Sequence, residues 1–430
     1  DTNKVVLGSS KVHVADAYVA NRIVGGNDVN WFGTGEVTGD TSILVDGATQ
    51  VGEIVGANTA TFVADYVFGD GVRRAEMTGN TTVTVGGTSE VERVIGAGYA
   101  FSAGEGYPKV EAGDGTTSDR TEASYNEAAV STLKGNTNLV VQDQAHVSQL
   151  IGAGFAYTDS TLHIDGGKDF IHVGHGTMQG QVQVTVSGGQ VEQLMLGGLG
   201  KGFGDASLTG DAQGQLSAGT VDTLVIGGVG ANSTVYDYNY TTSDEKVSLT
   251  EAGTSYGTAK VSGNATFTAT GGSLGKVFLG GALLGTDGSL ATPDEEHADQ
   301  VKVGGTATLI LAGDVDLSKA QVQAASAENN KLQFGTEDQT WSGSFSNFTG
   351  IDELAVMDGS ELSLQNLTVE QMGDAGMTLS GTGLVSVATL DHAEKTIRLS
   401  SGTLQVDSIA MTGSGSLTVD GGTLQTTTGQ

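Results

Sequence analysis

The chain has 430 residues, with 68 Gly, 2 Pro and no Cys, and its 50 acidic and 19 basic residues give a formal charge of −31. That charge argues against nucleic acid and anionic lipid as partners, since both need basic patches. The missing thiols exclude disulfides, zinc–thiolate sites and cysteine nucleophiles. No run of about 20 apolar residues could cross a bilayer as a helix, so no membrane insertion by this segment is expected.

So much glycine is costly in long helices but suits a chain that turns every few residues. An ordinary globular chain of this length would split into several domains, whereas a solenoid grows in one dimension because each coil touches only its neighbours. Self-similarity favours the solenoid. Residues 39–47 (GDTSILVDG), 79–87 (GNTTVTVGG), 135–143 (GNTNLVVQD), 180–188 (GQVQVTVSG) and 263–271 (GNATFTATG) each start at Gly and alternate polar with apolar. Alternation predicts strands with one buried face, on which Ile43, Val83, Leu139, Val184 and Phe267 point inward.

A second element follows each copy. It reads VGEIVG (51–56), VERVIG (91–96) and VSQLIG (147–152), then VEQLMLG (191–197), VDTLVIG (221–227) and LGKVFLG (274–280). The β-branched content and the glycines that close each copy favour strand over helix. The distance between copies varies, and the excess is polar. Residues 103–134 and 232–257 therefore read as loops inserted at one corner of a repeating coil, the side on which solenoids often bind.

Residues 318–330 (SKAQVQAASAENN) break the pattern, as a short helix or a junction. They suggest a division into residues 1–325, coils with long insertions, and 326–430, regular coils. In the second part GSELSL (359–364), GTGLVSV (381–387), GTLQV (402–406) and GTLQT (422–426) recur at roughly 20 to 22 residues, a β-helical period. The last of these stops in mid-repeat, and the polypeptide is expected to continue. The fold class expected from all this is all-β, a right-handed parallel β-helix with inserted loops.

Chemistry is sparse. No G-D-S-G, H-E-x-x-H or Walker loop occurs, and no nucleophile elbow is expected. His163, Asp165, His172 and His175 lie close in sequence, and GGKDFI (166–171) faintly resembles a calcium-binding nonapeptide. Such sites need tandem copies, so no metal and no cofactor is expected. Asp46, Glu53, Glu90 and Glu92 are candidate acids of a β-helix lyase or glycosidase, but their spacing fits solvated turns. Aromatics are scarce, at 6%, yet several fall in the insertions. Tyr236, Tyr238 and Tyr240 form the densest cluster. With Tyr107 and Tyr125 they are the candidate binding residues, because rings with a polar handle suit protein and glycan contacts. Trp31, Phe32, Tyr99 and Phe101 are further members of the set. The bland alternative is that the alternating tyrosines form an extra strand packed on the coils.

The long, cysteine-free, Gly/Thr/Val/Asp-rich coils resemble the passenger domains of bacterial autotransporters of the pertactin-like adhesin type. The closest stretch is residues 341–356 (WSGSFSNFTGIDELAV), followed by the terse coils of 359–422. The resemblance concerns repeat style, and it implies an extracellular, cell-surface location. It also implies a non-catalytic adhesin whose partner is a host or bacterial surface protein or glycan. A polysaccharide lyase or glycosidase on the same fold, and a self-associating aggregation protein, are the alternatives.

Overall fold

The computed structural model describes all residues except 1–3, 31–32, 64–71, 106–123, 164–169, 242–245, 326–328, 411–412 and 428–430. Its description also omits the side chains of residues 4, 104–105, 124–128, 160–163, 170–172, 235–241 and 246–253. Within these limits the chain is nearly all β, and the one helix among the described residues is the short Ala298–Val301. Almost all strand pairs are parallel, in sheets consistent with a β-helix or solenoid.

One round shows the plan. Thr34–Val37 lies in a back sheet, Thr41–Asp46 in a front ladder, Gln50–Val55 in a side ladder and Thr59–Val63 in an outer sheet. The next round repeats the order with Arg73–Thr78, Thr81–Val85, Glu90–Ile95 and Tyr99–Glu105, each parallel to its counterpart. Front and side ladders belong to one 20-stranded sheet, because Val182–Met195 and Ala212–Ile226 run through both. A fourth set of strands, starting at Ser342–Gly343, pairs through Glu361–Leu367, Leu384–Asp391, Thr403–Ala410 and Thr423–Thr426.

The front ladder confirms the expected register. Val12, Ile43, Val83, Leu139 and Val184 stand opposite one another in succession, followed by Gly214, Phe267, Leu309, Leu332, Leu354, Leu379 and Leu399. Ile43, Val83, Leu139, Val184 and Phe267 are all buried. They join inward residues of the side ladder (Ile54, Val94, Leu150) and of the back sheet (Val37, Met77, Leu133) in a single core. Apolar side chains stacked this way leave no polar group unpaired, and the buried threonines obey the same rule. Thr41, Thr81 and Thr137 donate their hydroxyls to Gly56, Gly96 and Gly152 carbonyls at 2.6, 2.7 and 3.0 Å. Glycine is required at turns such as Gly87, where φ is +64° and a Cβ would meet the Gly47 carbonyl oxygen at 2.5 Å.

The insertions differ from expectation. Of residues 103–134, Ser124–Lys134 is a back-sheet strand paired with Arg73–Thr78 and Phe170–Gln179, and Ala129, Ser131 and Leu133 on it are buried. It was concealed because back and outer sheets pack closely through small residues. Ala60, Ala75, Ala100 and Ala129 form one contact, with Phe62 as its one large member, and Ala156, Ala206 and Ala259 form another. Residues 232–257 are not a loop either. Val229–Thr241 and Lys246–Tyr256 form an antiparallel hairpin, rooted in the outer sheet by the parallel pairing of Val229 with Leu199. In the expected break at 318–330, Gln321–Ala324 is a side-ladder strand paired with Ser273–Leu279.

Candidate functional site

The outer sheet makes the site. Thr59, Tyr99, Phe155, Leu199, Val229 and Ala282 stand in register along it, and Thr61, Phe101, Tyr157 and Lys201 form the next row out. Alternate residues point to opposite faces, so these rows share one face and Ala100 and Ala156 occupy the other. The rings stack along the ladder, with Tyr99 and Phe155 centroids 5.1 Å apart and Phe101 and Tyr157 centroids 5.3 Å apart.

Behind them runs the side ladder. Its Val55, Ile95, Ile151, Met195, Val225 and Phe278 form a second apolar cluster with Phe155 and Leu199. The adjacent row is polar. Arg22 Nε donates to Glu53 Oε1 at 2.6 Å, Arg93 reaches Glu53 Oε2 at 3.1 Å and Gln149 at 2.8 Å, and Gln149 donates to Gln193 at 3.3 Å. The cations also cover rings. Arg22 lies 4.5 Å from the Tyr99 centroid, Arg93 5.0 Å from Phe155 and Lys201 4.4 Å from Tyr157.

Where these rows meet, a groove of about 650 Å³ opens. Arg93 and Gln149 line one side, and the two aromatic pairs and Lys201 line the other. Asn232, Ser233 and Thr234 at the hairpin root, with Leu284, Gly285, Thr286 and Gly288, close one end. Burial and the neighbouring Glu53 push the Tyr99 phenol up, against Arg22 and Arg93. Burial and then Asp159 push the Tyr157 phenol up. Both therefore stay protonated hydrogen-bonding groups at neutral pH rather than bases.

The sequence candidates fall elsewhere. Tyr236, Tyr238 and Tyr240 lie on the hairpin strand, paired in backbone register with Glu251, Leu249 and Val247. Their side chains are outside the described set. Tyr107 lies outside the described residues, as do Trp31 and Phe32, and Tyr125 is described only as backbone of Ser124–Lys134. Tyr99 and Phe101 are brought together with Phe155 and Tyr157, which the sequence reading missed. The signal was present as GAGYAF (96–101) and GAGFAY (152–157), one motif at one place in two rounds.

The acids also change meaning. Glu53 is not a solvated turn residue; it sits in strand Gln50–Val55, 12% exposed, between two guanidiniums. Asp46 faces His13 at 3.2 Å, and Glu90 accepts from Gln50 at 3.1 Å. No cluster of three or more metal-ligating side chains occurs among the described residues. His175 stands 3.6 Å from Asp205, whereas Asp165 and the side chains of His163 and His172 lie outside the described set. G-x-S-x-G strings do occur, at 253–257 (GTSYG) and at 271–275 (GGSLG), and the second opens strand Ser273–Leu279 rather than a helix. The first lies largely in the hairpin strand Lys246–Tyr256, not at a strand-to-helix turn, and Ser255 donates to the Gly202 carbonyl at 3.2 Å.

Comparison with family models, curated proteins and solved structures finds no match for the chain.

Proposed function

We propose that the chain is a right-handed parallel β-helix of the autotransporter-passenger kind, displayed at a bacterial surface as an adhesin. Parallel strands joined by crossovers are right-handed in about 98% of cases, which supports the hand. Repeated in-register rounds support the solenoid, and the repeat style of residues 341–426 supports the passenger reading. The observation that carries the function is the groove, where two ring pairs, two cations and the hairpin root converge on one face of a rigid stack. Rigid scaffolds with a few aromatic and basic anchors suit recognition. Asp159 is the single carboxylate among the lining residues, which favours binding over paired-acid hydrolysis.

The test is adhesion by the double variant Phe101→Ala/Tyr157→Ala. Both rings are half-buried at the groove rim, so the coils should tolerate their loss. Beads coated with this variant should bind host or bacterial cells much less than wild-type beads, at an unchanged melting temperature. Equal binding would overturn the reading.

A further inference from the structure

The chemistry of the groove narrows the ligand. In a chain of charge −31, the two cations lining the groove stand against the general field. Lys201 has no ion pair among the described residues and rests on the Tyr157 ring. Arg93 gives part of its guanidinium to Glu53 and Gln149, yet its side chain is 37% exposed. Their charges lie within one lining with the paired rings.

Backbone addition is unavailable along the ring-bearing stretches Tyr99–Ala103 and Phe155–Thr158, because each is paired with a strand on both sides. A peptide could not add there as a strand. What the groove offers instead is ring faces and edges, amide and hydroxyl groups at Gln149, Asn232, Ser233 and Thr234, and two cations against one carboxylate, Asp159. Those are the complements of sugar C–H faces, sugar hydroxyls and an acidic substituent.

We infer that the groove binds an acidic oligosaccharide lying along the stacking axis. Its rings contact Phe101 and Tyr157, and its carboxylates meet Lys201 and Arg93. The inference rests on the groove being the binding site.

The experiment is calorimetric titration of the whole chain with hexagalacturonate, with its fully methyl-esterified form, and with hexaglutamate, at low and physiological salt. Hexagalacturonate should bind, and the ester should bind at least about tenfold more weakly, one lost charge contact being worth about that factor. Lys201→Gln should weaken hexagalacturonate about as much and leave the ester little changed. Added salt should weaken the acidic sugar selectively. Equal binding of the ester overturns the acidic assignment while leaving the groove intact as the site. Hexaglutamate binding as tightly overturns the saccharide, as does failure of all three probes. Hexagalacturonate binding unchanged in Phe101→Ala/Tyr157→Ala removes the groove itself, and with it the functional reading. Loss of cell adhesion in that variant without any saccharide binding removes only the ligand class.

Discussion

Gly214 stands opposite Phe267 in the front ladder, and a Cβ on Gly214 would lie 2.4 Å from Cδ2 of Phe267. One round gives up its inward side chain so that the next can hold an oversized one. Gly214→Val should therefore cost about 1–3 kcal/mol through overpacking. Phe267→Ala should cost about 3–5 kcal/mol through the cavity it leaves. The double variant should lose clearly less than the sum, because the new methyls occupy the vacated volume. Denaturant melts of the four proteins measure the coupling; strict additivity would refute it.

Val83 is flanked in register by Ile43 and Leu139, and all three are buried. Val83→Asp places a carboxylate where the described neighbours are apolar and no cation is near. A loss above about 4 kcal/mol is expected, the range reserved for buried unpaired charge. Unfolding in urea that shifts only slightly would mean that the stack reorganises around the defect.

Glu53 holds Arg22 and Arg93 together across three successive rounds. Glu53→Gln leaves two guanidiniums facing each other with one neutral acceptor between them. A cost of about 2 kcal/mol is expected, that of losing charged hydrogen bonds in a half-buried site. High salt should recover part of it by screening the two cations. Insensitivity of the variant's midpoint to salt would contradict this account.

Two aspartates should give stability opposite pH dependences. Asp352 is pushed up by burial and by Asp374, against a hydrogen bond from the Asn330 N–H at 3.0 Å. Its folded value exceeds its unfolded one, so ionisation penalises the fold; the penalty is absent at low pH and complete once pH has risen through the folded value. Asp352→Asn keeps the acceptor and should raise the melting temperature near neutrality, a gain that disappears on acidification. For Asp205 burial acts upward, but the nearby His175 imidazole and the hydrogen bonds from Ser207 outweigh it and hold the carboxyl low. Its contribution is complete above the unfolded value and is lost as pH falls through the folded one. Asp205→Asn should accordingly be destabilising near neutrality and indistinguishable from wild type in strong acid. Melts of both variants from neutral pH into strong acid decide the signs.

Tyr236, Tyr238 and Tyr240 lie on the hairpin strand whose root, Asn232 to Thr234, lines the groove. If they add to recognition, replacing all three with Ser should weaken adhesion at constant melting temperature, since a few aromatics carry most interface energy. A lower melting temperature with adhesion lost only in proportion would assign them to packing the hairpin.

What the sequence revealed follows from which residues fill which layer. Ile43, Val83 and Leu139 alternate with polar neighbours, and a strand with one buried face writes itself in that pattern. Ser124–Lys134 did not, because its buried face meets the outer sheet mostly through small residues. That contact is built from Ala100, Ala129 and Ser131, the last donating to the Asn58 carbonyl at 2.9 Å, and such residues look like loop in a hydropathy pattern. Glu53 misled for a different reason. Its partners are 31 and 40 residues away, so its surroundings are invisible locally. The groove's rings were legible only as a repeated hexapeptide, whose meaning depends on rounds stacking in register.

The hydrogen bonds that join successive rounds run along the stacking axis, and side chains add to them in a fixed direction. Asp40 Oδ1 accepts from the Asn80 N–H at 2.7 Å, Asn80 Oδ1 from Asn136 at 2.9 Å and Asn136 Oδ1 from Gln181 at 2.8 Å. Tension applied to the two ends therefore pulls along these bonds rather than shearing many at once. Each round is held mainly by its neighbours, so it can detach without dissolving the rest. Stretched, the molecule should lengthen in discrete steps at modest force, one round at a time, with the longest steps from the rounds that carry insertions. As a tether it would be a shock absorber, yielding length under load and rewinding when the load is released.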